Sequence, residues 1–447
     1  MLTDNVKSSV FLFKYSLVKR NAKEYYRELL NNQYLSPDEL AALNWKRTKA
    51  LLSYAYDKVP YYKMRFSAIG LQPDDIKNPE DYTNVPLLTR EDLQKNFQGL
   101  VSTEARPQDL RLSTTGGSTG EPVKVFHEKK VVRAATGWRM LSWWGLNPGN
   151  DFASVYRDTK TDLRSRIMDT LMWWPTKKIQ LNATSLDVAS MDRFILQFQK
   201  VKPSLLHGYV GAVDHLAAYI LDHARSVPAP KAIWVTSSPL SSVQEKRIEQ
   251  AFHAPVYDQY GCCEIYWLAA QCPEKGPLHM FGDIRKFEFL DEQNRPCPRG
   301  ELGKIVVTDL ENYLFPLIRY VNGDRGRSMQ GICSCGVTLP LMDKVKGRIT
   351  DMIKLPDGTA ISGDYMTTIF DDVPDAVRQF QVYQKADYSI EILVVPNPSF
   401  TGLGKVMEQV KIHMKKAVND AVPVAVKEVA EIPQKGGKLR FVRSELR

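Results

Sequence analysis

The sequence predicts an α/β fold, and three observations carry that expectation. From residue 112 to about 320, short apolar strands alternate with helical stretches; residues 1–105 read as one helix after another; and residues 359–447 hold two strand-like runs and a helix. Alternation of strand and helix layers helices over a sheet. A length of 447 residues fits two or three domains at roughly 100–200 residues each. The expected organisation is a large N-terminal layered α/β domain over 1–346, with sheets flanked by helices and a small β-rich subdomain. A small α+β C-terminal domain over 347–447 follows, the boundary falling near Lys346 and Gly347.

Each element has its local reason. "SPDELAALNWKRTKALLSYAYDKV" begins with Ser36 as N-cap, Pro37 at the first helical position and acids in the first turn. Pro60 ends it, because a residue before proline is driven out of the helical region. "LTREDLQKNF" repeats this logic with Thr89 as cap. In the middle, "DFASVY", "AIWVTS" and "PVYDQYG" are strands. "DVASMDRFILQFQKV", "VGAVDHLAAYILDHA" and "SSVQEKRIEQAFH" are helices between them. After residue 283, "IRKFEFLD", "ELGKIVVTDL" and "YLFPLIRY" are strand-rich, and Pro356-Asp357-Gly358 is a turn between two further strands.

Hydrophobic content of 43% and charged content of 25% are those of a soluble globular chain. The net charge of +9 admits an anionic partner, yet no dense Lys/Arg run with interleaved aromatics occurs, so scattered solvated charge is the expectation and no nucleic-acid partner is expected. Lys14 interrupts the apolar run near the N-terminus, which is too short to span a bilayer and reads as a packed helix, not an export signal. No transmembrane segment is expected. All six cysteines lie at or beyond 262, a pattern that does not staple the chain and suits a reducing cytoplasm.

"LSTTGGSTGEPVKVF" places Gly116, Gly117 and Gly120 among the hydroxyls of Thr114, Thr115, Ser118 and Thr119, between two strands. Glycine permits positive φ and close backbone approach, and such a loop's amides suit an anion. It is not a Walker loop. Taken alone it reads as a plain surface hairpin. Four further stretches follow in order: "DQYGCCE" ending in Glu264, "RYVNGDRG" with Asp324, "GRITD" with Arg348, and "PQKGGKLRF" with Lys438.

With these motifs in this order the chain resembles the adenylate-forming superfamily of acyl-CoA synthetases, luciferase-like enzymes and adenylation domains. "KVPYYKMRF", "VPLLTREDLQKN" and "LLHGYVGAVDHLAAYI" resemble its phenylacetate-CoA ligase and capsular-polysaccharide (CapK-like) branch. The resemblance implies a carboxylic acid activated by Mg-ATP to an acyl-adenylate, then passed to CoA or to an amine. Thr115, Gly116, Gly117, Ser118, Thr119 and Gly120 would cradle the phosphates. Glu264 would hold Mg²⁺. Tyr260 would stack on adenine with Gly261 beside it, and Ser237, Ser238 and Pro239 would line that pocket. Asp324 would accept from the ribose, Arg348 would contact ribose or phosphate, and Lys438 would bridge carboxylate and α-phosphate. His207 and Tyr209 stand where the family binds its acid. The C-terminal domain would be mobile, delivering Lys438 and then rotating. The chain departs from relatives at Val123, before Lys124, at Thr350 in the hinge, and at Val210 in place of proline.

Cys272 with His279, and Cys333 with Cys335, form two short pairs that suit a closed structural zinc site; buried free thiols are the other reading. Cys262 and Cys263 read as packing residues. The tryptophans at 143, 144, 173 and 174 suit either the core or an aromatic acid pocket. Two rivals to the ligase stay open: a degenerate module that binds nucleotide without turnover, and a basic surface-binding protein. Monomer and homodimer are equally compatible with the sequence.

Overall fold

The computed structural model describes residues 3–114, 123–156, 163–183, 186–345, 353–357, 360–361, 369–370, 373, 376–432 and 442–446. The chain forms two compact units: Met1–Phe11, Gly149–Asp258 and Val345–Arg447 make the first, and Leu12–Pro148 with Gln259–Lys344 the second.

The first unit is built on parallel strands. Phe152–Tyr156 pairs with Lys178–Asn182 on one side and Leu205–Tyr209 on the other, and Leu205–Tyr209 pairs in turn with Ala232–Thr236. Four consecutive residues are buried in both Phe152–Tyr156 and Ala232–Thr236. Continuous burial, not alternation, marks a sheet covered on both faces. Helices Val188–Val201, Val210–Asp222 and Ser242–Phe252 supply the cover, packing Phe194, Phe198, Leu216, Ile220, Ile248 and Phe252 on Val155, Leu206, Ile233 and Val235. Gly208 lets strand and helix meet: a Cβ there would lie 2.7 Å from both the Val155 carbonyl oxygen and Val213 Cγ2.

Within the same unit, Val377–Gln384 pairs antiparallel with Ile390–Pro396, flanked by parallel Val442–Ser444 and Val424–Glu428, and helix Leu403–Ala417 packs Val406, Val410 and Met414 into their shared core. Arg247 binds Asp214 at 3.2 Å and donates to the Arg378 carbonyl, while Arg378 donates to Asp222 at 2.6 Å.

The second unit starts with helices. Ser36 caps Pro37–Lys58 in a full capping box with Glu39, and Thr89 does the same for Arg90–Lys95 with Asp92. Pro60 opens a new helix, Pro60–Ser67. Strands Leu110–Thr114 and Lys124–Glu128 pair antiparallel, Thr114 opposite Lys124, so the glycine-rich segment joins the two strands of a hairpin. Arg285–Leu290, Gly303–Asp309 and Tyr320–Gly326 form an antiparallel meander. Among the described residues no helix is long and apolar enough to cross a membrane.

Candidate functional site

The strand Val256–Cys262 carries the chain from the first unit into the second, and the turn after it bears Glu264. Gly261 is required there, because a Cβ would come within 2.3 Å of the Tyr266 carbonyl oxygen. Glu264 is buried, and the Tyr320 hydroxyl lies 3.4 Å from its Oε1. Tyr260 is buried too. Its hydroxyl donates to Asp324 Oδ2 at 2.8 Å and accepts from Asn322 Nδ2 at 2.5 Å. Burial, with the Asp324 carboxylate beside it, drives the Tyr260 hydroxyl far above its ordinary range, so it stays protonated and donates. The second unit thus joins Tyr260 and Asp324, 64 residues apart, directly. Asn322 and Tyr320, which carried no signal of their own in the sequence, complete the arrangement.

His127 also belongs to this region. It lies on the strand leaving the glycine-rich segment, and burial together with Arg133 and Arg111 pushes its imidazole down to about 3. The ring is therefore neutral at ordinary pH. Beside the turn Arg285, which reaches the Ile265 carbonyl, binds Asp309 at 2.9 Å and Glu311 at 2.6 Å; elsewhere in the unit Arg139 binds Asp283 at 2.8 Å, both arginines being wholly buried. Burial alone would raise the Glu311 carboxyl; Arg285 and Arg133 overcome this and hold it low. Some of the chain's positive charge is thus neutralised in the interior, not solvated as the composition suggested.

In the first unit the predicted residues gather at the C-terminal ends of parallel strands, where open α/β sheets bind ligands. His207 and Tyr209 end one strand. Ser237, Ser238 and Pro239 follow another, all half-buried. Ser237 has φ 86, a left-handed conformation rare for a residue with a side chain. His207 stacks on Trp234 at 5.5 Å and meets Phe152 at 5.3 Å and Tyr156 at 5.0 Å; Tyr209 meets Tyr156 edge-on at 4.8 Å. Burial, and secondarily Lys178, pushes His207 down to about 3. This end is aromatic, with Lys178 Nζ 6.0 Å over the Phe152 ring. Of the four tryptophans, Trp144 is buried, Trp143 lies beside His279, Trp173 stacks on Phe11 at 4.9 Å, and Trp174 is exposed.

Cys272, His279, Cys333 and Cys335 converge in the second unit, their ligand atoms all within 4.8 Å of one another. Cys272 Sγ lies 3.5 Å from Cys333 Sγ, and Cys335 Sγ 3.4 Å from His279 Nε2. His279 turns Nδ1 toward the Leu339 carbonyl at 3.4 Å, leaving Nε2 for the cluster. Tetrahedral zinc with bonds near 2.3 Å sets neighbouring sulfurs about 3.8 Å apart, so the set is of the right size and donor type for a metal.

Residues 115–120, Arg348 and Lys438 lie outside the described residues.

Residues 353–445 match the CapK C-terminal domain. The chain is 22% identical over 437 residues to a phenylacetate-coenzyme A ligase of Thermus thermophilus, covering 91% of this chain and 97% of that one. It is 23% identical to protein CapK of Staphylococcus aureus, over 99% of this chain and 96% of CapK. Among solved structures it is similar to 2-hydroxyisobutyryl-CoA ligase in its postadenylation state, with TM-score 0.77 and 19% identity over 93% of this chain and 91% of that one. The chain is thus a homologue of phenylacetate-CoA ligase and CapK, with the fold of the adenylate-forming CoA ligases.

Proposed function

We propose that the protein is an AMP-forming ligase that activates a carboxylic acid with Mg-ATP and passes the acyl group to CoA. One observation carries this reading: Tyr260, Asn322 and Asp324 are tied together by hydrogen bonds in the same unit as the buried Glu264. Asp324 offers a carboxylate to the ribose hydroxyls, an acceptor matched to two donors. Tyr260, its hydroxyl fixed by Asp324, presents its ring to adenine, with Gly261 beside it. By the resemblance, Ser237, Ser238 and Pro239 would line the base pocket. Glu264 supplies a hard oxygen to the magnesium that accompanies ATP.

The acid is received beside His207 and Tyr209, where a largely aromatic wall favours an acid with an apolar body. Attack of its carboxylate oxygen on the α-phosphorus forms the acyl-adenylate and expels pyrophosphate; CoA sulfur then attacks the acyl carbon and AMP leaves. Two anions must meet in the first step. The resemblance assigns their bridging to Lys438, with Arg348 at ribose or phosphate and residues 115–120 around the phosphates. The lysine is a compact point charge suited to bridging two oxygens. These residues, and the division into a 1–346 substrate domain and a 347–447 lid, rest on the order of the sequence motifs.

For the cysteine cluster the reading is structural zinc, because four protein donors close the coordination shell and leave no position for substrate. Zinc measured in the purified protein at one equivalent, with loss of stability on chelation, supports it. Metal-free protein of unchanged stability sinks it. Six cysteines outside any disulfide fit a reducing compartment, the cytoplasm.

The test of the main reading is pyrophosphate release from Mg-ATP across aromatic, aliphatic, amino and sugar acids, with and without CoA, beside Lys438→Ala. Release lost in the variant supports adenylation. AMP release that needs CoA identifies the thioester route, and AMP release that needs an added amine identifies amide formation instead. ATP binding without release for any acid would point to a nucleotide-binding module without turnover.

A further inference from the structure

The turn carrying Glu264 is gripped on both sides by side chains to which none of the roles above applies. On one side His127, only 1% exposed, brings Nε2 to 3.1 Å from the Cys263 carbonyl oxygen. A carbonyl only accepts, so Nε2 carries the hydrogen. On the other side the Ile265 carbonyl accepts from Arg133 Nη1 at 3.2 Å and from Arg285 Nη2 at 3.3 Å. Both lone pairs of that oxygen are used, which fixes its direction. The carbonyls immediately before and after Glu264 are therefore both held.

The grip is itself braced. Arg285 is neutralised by Asp309 and Glu311, and Tyr25 donates to Glu311 from the helix Ala22–Asn32. The Tyr266 ring is held by the same residues, with the His127 ring centroid 4.5 Å away and the Arg133 guanidinium 4.8 Å over its face. Tyr266 has φ 73, a strained left-handed backbone for an aromatic residue. Such a conformation costs on the order of 1–3 kcal/mol and persists where the surroundings over-determine it.

We propose that His127, Arg133 and Arg285 are positioning residues that clamp the two carbonyls flanking Glu264, so that its carboxylate is aimed before Mg-ATP arrives. The inference rests on Glu264 as the magnesium ligand. Groups that orient a metal ligand act through the ligand, and removing one costs about 10–100-fold in metal affinity or activity. A free turn would have to be ordered each time the nucleotide binds; a clamped one is ordered in advance.

Arg285 variants risk unfolding, so His127 bears the test. Calorimetric titration of ATP with no acid present, once in Mg²⁺ and once in magnesium-free buffer without chelator, gives the factor by which the metal tightens binding. In His127→Leu that factor should fall about 10-fold, with affinity in magnesium-free buffer unchanged. His127→Gln, which keeps an N–H near the position of Nε2, should regain most of it. Equal losses with and without Mg²⁺, a factor equal to that of the unmutated chain, or a Gln variant no better than Leu would each overturn the clamp. Glu264→Gln separates the two claims. If it retains the full metal effect, the magnesium role itself falls. If it loses the effect while His127→Leu does not, the clamp alone falls.

Discussion

The two units surround their candidate residues with opposite materials. In the second unit Glu264 sits over Arg133, Arg285, Asp309 and Glu311, charges paired inside the protein. In the first unit Phe152, Tyr156, His207, Tyr209 and Trp234 form an aromatic wall with Lys178 beside it, His207 being held neutral first by burial. The difference follows the chemistry proposed for each end. A triphosphate with its metal demands fixed charge and exact aim. A small organic acid is sorted mainly by shape and burial, and a misplaced charge there would cost more than it contributes.

The strongest way to break the comparison is to unpair the charged side. Arg285→Met removes a guanidinium held by two carboxylates and leaves them Arg133, 3.9 Å from Asp309, as a counter-charge. Loss of one partner of a buried pair costs about 3–5 kcal/mol. Urea unfolding should show this, and a loss below about 1 kcal/mol would mean that water already screens the network. Next in size is Asp324→Ala. A hydrogen bond to a charged acceptor contributes about 1.5–3 kcal/mol, so KM for ATP should rise about 10- to 100-fold. KM for the acid should hardly move. A rise in both to the same degree would place Asp324 in the scaffold and not at the ribose.

The sequence disclosed these two sides unequally. Capping signals at Ser36 and Thr89, the break at Pro60 and the strand–helix alternation are local properties, and the structure forms each of them. The pairing of Cys272 and His279 with Cys333 and Cys335 was readable because thiols and imidazoles are scarce and the spacing short. Tyr260, Asp324 and Glu264 were picked out by motif order alone. The clamp was not legible. His127 lies 136 residues from the carbonyl it holds, and an arginine bound for the interior looks, letter by letter, like one bound for solvent. Nothing local distinguishes Arg285 from the surface arginines until the fold brings Asp309 and Glu311 beside it. The aromatic wall was half legible. The resemblance singled out His207 and Tyr209 without a strand expected there, and Phe152 and Trp234 enter only through the parallel register.

The apolar side can be tested through its packing. Gly208→Ala adds a methyl where the Val155 carbonyl oxygen and Val213 Cγ2 already stand 2.7 Å away. Overpacking of this kind costs about 1–3 kcal/mol. The acid-binding strand should shift with it, so KM for the acid should rise while binding of ATP changes little. Unchanged stability and KM would show that the helix Val210–Asp222 can retreat freely.

The smallest effect expected is a pH dependence. His207 is held near 3 in the folded protein against an ordinary value near 6.5, so the folded state keeps it neutral while the unfolded chain takes up a proton. Its contribution is whole above about 6.5 and is lost as pH falls toward 3. One proton corresponds to about 1.4 kcal/mol per pH unit at most. Solvent reaches part of this ring, so about 1 kcal/mol between pH 6 and 5 is the reasonable size. His207→Phe keeps the stacking on Trp234 but has nothing to titrate, and its stability should fall less steeply with acid over that interval. Parallel pH profiles for the two proteins would mean that His207 protonates as readily folded as unfolded. The wall would then carry a charge, and the contrast between the two units would dissolve from its apolar side.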